Sequence, residues 1–115
     1  MNRWFFAAFS AGLLVACGQD VYSASVERHY AEHGSPRNVN HAIMTGYFIN
    51  SEHGAALCDN SQCRYMLPVD TEQMSSECLN RIVEQSVAII GSISNGRLTN
   101  LDSVHLPDNS VACVF

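Results

Sequence analysis

The chain has 115 residues, 47% of them hydrophobic, and six basic side chains, all Arg, against eleven acidic ones for a formal net charge of −5. That length holds one domain at most, and the hydrophobic content is too high for a disordered chain. An acidic balance argues against sequence-independent nucleic-acid binding, whose affinity comes largely from Lys and Arg neutralising phosphates.

The chain opens with a short positive segment, Met1-Asn2-Arg3, followed by an uncharged, mostly apolar stretch over residues 4–15. At about twelve residues this stretch fits the hydrophobic part of an export signal and falls short of the roughly 20 needed to cross a bilayer as a helix. It closes on Leu14-Val15-Ala16-Cys17. These residues, in this setting, resemble the lipobox of bacterial lipoproteins. The resemblance implies a signal peptide over 1–16, cut between Ala16 and Cys17, with a diacylglycerol thioether on Cys17 and an acyl chain such as palmitate on its freed amine. Two or three chains at about 0.8 kcal/mol per buried CH₂ would hold the protein firmly on a membrane. Gly18, not Asp, follows the Cys. By the sorting rule of two-membrane bacteria, that implies the outer membrane, facing the periplasm.

Removal of the signal would leave ninety-nine residues, with five Arg against eleven acids and without Trp4, Phe5, Phe6 and Phe9. Residues 17–36 read as a lipidated tether. Tyr22, Val26 and Tyr30 recur at spacing four, and Gly34 then Pro36 supply a stop, so a short helix is expected inside it. His29 and His33 lie four apart there. A zinc site usually needs three or four protein ligands, and only Glu32, His41 and His53 are further donors in sight. The pair therefore reads as a solvated helix face, and neither a metal nor a cofactor is expected.

From residue 37 the period becomes strand-like. Residues 39–49 form a long apolar strand, 50–54 a turn and 55–58 a short second strand. A further turn at 59–62 leads into an alternating strand over 63–69, with Cys63, Tyr65, Leu67 and Val69 on one face. Pro68 cannot donate to a ladder, which ends this strand or places it at an edge. Asp70 with Gln73 three residues later resembles a capping box, and Met74, Cys78 and Ile82 set a helix over 71–83. Val87, Ile89, Gly91 and Ile93 resume period two. Asn95-Gly96 is the strongest hairpin signal, because both central residues of a type I′ turn need φ above zero. The return strand runs over 97–106, Pro107 breaks it, and 111–115 close the chain. The predicted domain, residues 37–115, is thus mainly β with one helix (α+β), in the order β-β-β-α-β-β plus a tail. Over roughly residues 38–106 this order resembles the OB-fold, a five-stranded Greek-key barrel.

With Cys17 assigned to lipid, Cys58, Cys63, Cys78 and Cys113 remain. An even number in an exported domain argues for disulfides, and four Cys allow three pairings. The turn 59–62 would bring Cys58 and Cys63 together across a hairpin, leaving Cys78 for Cys113. Catalysis has little to work with. Ser103 and His105 share a strand face, but Asp102 points to the other, and no nucleophile elbow or phosphate loop is present. The candidate ligand-binding aromatics are Tyr47, Phe48 and Tyr65. The expected function is a non-catalytic, membrane-anchored envelope lipoprotein, a binding or structural module for a protein or glycan partner and not for nucleic acid. The alternative is a periplasmic inhibitor or immunity-type protein that blocks a toxin or a lysozyme-like enzyme.

Overall fold

The structure, a computed structural model, describes residues 21–33 and 38–115. Cys17 and the signal segment lie outside the described residues. The elements in chain order are β1 (Tyr22–Ser25), α1 (Val26–His33), β2 (Val39–Ser51), β3 (Gly54–Cys58), β4 (Met66–Val69), α2 (Ser76–Ile82), β5 (Gln85–Ser94), β6 (Arg97–His105) and β7 (Val111–Val114). The domain is mainly β.

β2 is long enough to pair with several neighbours. It runs antiparallel to β5 along most of its length and to β3 through its second half, from Tyr47 opposite Cys58 to Ser51 opposite Gly54. β3 pairs antiparallel with β4. β4 meets β6 in parallel, with Val69 beside Leu98. β5 and β6 form the hairpin across Asn95 and Gly96, whose φ values of 54° and 76° are those a primed turn requires. These five strands follow one another in a ring. β1 adds to the first half of β2 in parallel, with Tyr22 beside Ala42, and β7 adds to the end of β6.

Alternation along each strand fills the ring. Ala42, Met44 and Phe48 of β2 point inward with Val87, Ile89 and Ile93 of β5 and Leu98 and Val104 of β6, all buried. Leu57, Leu67 and Ile82 complete the centre. Burying a side chain of this size contributes about 1.5–3 kcal/mol. Gly46 lets the walls close on one another. A methyl group there would stand 2.5 Å from the carbonyl oxygen of Cys58 and 2.9 Å from the Leu57 side chain.

Four local expectations change. The segment read as tether holds the short helix expected there, α1, but also a strand, β1, and both join the packed domain, with Ala24, Val26 and His29 buried. His29 is no solvated helix residue. Its ring is fully buried, and Nδ1 lies 2.6 Å from the Tyr22 hydroxyl. The helix expected over 71–83 begins later, at Ser76, because Ser75 is the N-cap and its hydroxyl accepts from the Cys78 N–H at 3.0 Å. Asp70 instead accepts from the Glu72 N–H at 3.0 Å, an Asx turn that starts no helix. Finally, β4 begins at Met66, not at residue 63. Cys63 has φ 56°, its N–H donates to the Asn60 carbonyl, and the Tyr65 N–H donates to the Asp59 carboxylate. Residues 59–65 therefore form a closed loop, and Tyr65 leaves the core face.

Cys58 is bonded to Cys63 and Cys78 to Cys113, with Cα separations of 4.9 and 5.7 Å. The first bond staples the loop itself, since Cys58 faces Met66 across the ladder, not Cys63. The second ties α2 to β7. Arg81 of α2 reinforces that tie by donating from Nη1 to the Ala112 carbonyl at 2.9 Å.

Candidate functional site

The outward faces of β2 and β5 floor a cleft of about 610 Å³, a volume typical of small-ligand sites. Its walls come from separate parts of the chain: Ser25 and Glu27 at the junction of β1 and α1, residues 59–61 of the stapled loop, and His105, Leu106, Pro107 and Asn109 where β6 turns toward β7. Tyr47 stands on the floor because the residue before inward-facing Phe48 must point out. Ser86 lies directly across from it on β5. Tyr47 is half-buried and lines the cleft.

The lining sets polar side chains among apolar ones, with Val87, Ala88, Leu106 and Pro107 beside carboxylates, and holds no guanidinium group. Glu27 and Asp59 supply acidic groups, Ser25, Thr45, Ser61 and Ser86 hydroxyls, and Asn60 and Asn109 amides, while no Arg is among them. The Asp59 carboxyl is held below the usual Asp range, first by the N–H of Tyr65 and then by N–H groups of its own loop. Asp108, beside the cleft, is lowered chiefly by the Ser110 hydroxyl at 2.6 Å and the Ser110 N–H. At neutral pH both are therefore anionic. His105 also lines the cleft, and its Nε2 lies 2.9 Å from the Ser103 hydroxyl. The two share a strand face as the spacing requires, whereas the Asp102 carbonyl serves to accept from the Phe115 N–H.

Of the aromatics expected to bind a ligand, Tyr47 alone lines this cleft. Phe48 is fully buried in the core, the consequence of strand alternation, and offers no face to a ligand. Tyr65 is exposed elsewhere, stacked on Tyr30 with ring centroids 5.7 Å apart and planes 17° from parallel. Glu27, Asp59 and Asn109 escaped the sequence reading, and His105 entered it only as a partner of Ser103. The one available signal was the Asp59-Asn60-Ser61 turn, whose side chains suit both loop closure and ligand contact.

Among the described residues, no group of three or more His, Cys, Asp or Glu side chains is placed to hold a metal, and no helix is long and apolar enough to cross a membrane. Set against known protein families, curated proteins and solved structures, the chain matches none of them.

Proposed function

We propose that this chain is an envelope lipoprotein, held by acyl chains on Cys17 in the outer membrane and facing the periplasm, and that it acts as a non-catalytic binding module. The ring of strands is then an OB-type barrel, with β2, β3, β4, β5 and β6 as its five strands and α2 between the third and fourth. The observation that carries the binding role is the cleft floored by Tyr47. An aromatic face set among hydroxyls, amides and carboxylates suits a glycan, whose C–H faces stack on a ring while its hydroxyls pair with planar amide and carboxylate oxygens. Glu27 and Asp59 would repel acidic sugars, so the ligand is uncharged or carries an amine.

Titration of the lipid-free domain, residues 18–115, against a panel of neutral, amino and acidic oligosaccharides tests this reading. A neutral or amino sugar should bind, and Tyr47→Ala should weaken it more than tenfold, equivalent to about 1.4 kcal/mol. Equal binding by Tyr47→Ala, or preference for acidic sugars, would overturn the glycan reading. The inhibitor reading draws support from the same acidic rim, Glu27 and Asp59 beside an aromatic, which is the charge pattern that would meet a basic enzyme. Inhibition of a lysozyme-like hydrolase by the domain, lost in Glu27→Gln/Asp59→Asn, would decide for it.

A further inference from the structure

We propose that Tyr65 and Met66 form the face that this domain lays on the bilayer to which Cys17 is anchored. The proposal rests on the lipid-anchor reading and adds an orientation to it. Among the described residues the exposed large apolar side chains are Val21, Tyr65, Met66, Val111 and Val114, and Tyr65 and Met66, 38% and 48% exposed, are the two that are consecutive and include an aromatic. Tyrosine and methionine suit the boundary between headgroups and acyl chains, where an aromatic body can be dry and its hydroxyl wet.

The patch is braced against α1 and is linked by ring contacts to a strand that begins a few residues after Cys17 in sequence. Tyr65 stacks on Tyr30, and the Tyr30 hydroxyl donates to the Met66 carbonyl at 2.5 Å, so both residues are fixed against α1. From Tyr30 the ring contacts continue through His29 to Tyr22, in steps of 5.7 and 5.4 Å. Tyr22 opens β1, and only five Cα steps separate it from Cys17. At full extension those steps reach about 18 Å. The short link therefore keeps the β1 end, and the aromatic patch connected to it, at the membrane surface. Val21, 54% exposed, adds an apolar side chain within the link.

Two side chains alone would hold a protein to lipid only weakly. The acyl anchor changes this by making the contact intramolecular, at an effective concentration in the millimolar range for a short link. The chain is acidic, so the partner surface is zwitterionic phospholipid and the contact draws little on charge.

The test uses the lipidated protein in phosphatidylcholine vesicles containing brominated acyl chains. The sequence's one Trp, Trp4, is removed with the signal, so Tyr65→Trp introduces a single fluorophore and Met66→Trp a second, independent one. His53→Trp is the control. Its side chain is 89% exposed in the turn at the opposite end of β3 from the loop that carries Tyr65. Bromolipid should quench the Tyr65→Trp and Met66→Trp proteins at least threefold more than the His53→Trp protein, with little change between low and high salt. Equal quenching of all three variants in protein that floats with the vesicles would overturn the orientation and leave the anchor standing. Protein that does not float at all would overturn the anchor and this proposal with it.

Discussion

The hydroxyl of Tyr30 donates to the backbone carbonyl of Met66 at 2.5 Å, fastening α1 to the start of β4 across thirty-six residues of sequence. Burial raises the pKa of that hydroxyl above its ordinary value, so it stays a donor throughout the neutral range. Tyr30→Phe keeps the ring stack on Tyr65 and removes this bond. It should lower unfolding stability by about 1 kcal/mol, the usual worth of one such bond. Tyr30→Ala, which also removes the packing, should cost more than Tyr30→Phe. Urea denaturation of both variants checks the order, and equal losses would mean that the ring packing contributes nothing beyond the hydroxyl.

The two disulfides should differ in weight. Closing a chain stabilises the fold by restricting the unfolded state, more so for longer loops. The Cys78–Cys113 bond spans 35 residues and the Cys58–Cys63 bond five. On that scale the first contributes about 3–4 kcal/mol and the second about 2. The double variant Cys78→Ser/Cys113→Ser should therefore melt well below Cys58→Ser/Cys63→Ser, and the reverse order would show that the loop staple governs stability.

Gly46→Ala should be strongly destabilising, because the added methyl meets the Cys58 carbonyl oxygen at 2.5 Å, a backbone atom that cannot swing aside. Forcing that contact apart shifts β2 against β3 and should cost about 2–3 kcal/mol. Gly54→Ala meets nothing within 4 Å, and its cost comes from φ of 114° alone. A thermal scan of the two variants tests the close approach of β2 and β3.

Much of the strand pattern was legible, and the reasons for the exceptions are physical. Asn95-Gly96 could be read because few residue pairs accept two consecutive positive φ values, and the structure turns there. The start of α2 could not. Asp70 has the look of a cap, but its two carboxylate oxygens serve the Glu72 N–H and the Thr99 hydroxyl, which leaves capping to Ser75. His29 read as a surface residue because imidazole is polar, yet the Tyr22 hydroxyl seven residues earlier gives it a buried partner. Cys58 and Cys63 were near enough in sequence to be linked, though the bond lies inside a loop and not across a ladder. Tyr47 was a candidate from its chemistry alone. The cleft around it was hidden because its walls come from segments as distant as Ser25 and Asn109, which no local spacing connects.

Acid should loosen the cleft rim. Asp59 and Asp108 both titrate below the ordinary Asp value of 3.8 in the fold, so each favours the folded state above that value and loses its contribution as pH falls through the lowered one. The amide resonances of Tyr65 and Ser110, which these carboxylates hold, should shift with midpoints below 3.8. Midpoints at or above the ordinary Asp value would contradict the hydrogen bonding that closes both loops.

Intact-mass analysis of the full chain expressed in a two-membrane bacterium, from its membrane and soluble fractions alike, tests the proposed anchoring most directly. It should give a chain that begins at Cys17, carrying a diacylglycerol thioether and an acylated amine, and Cys17→Ala should abolish both the added mass and the cleavage. A free Cys17 thiol, or a chain cleaved elsewhere and recovered in the soluble fraction, would contradict the lipoprotein reading.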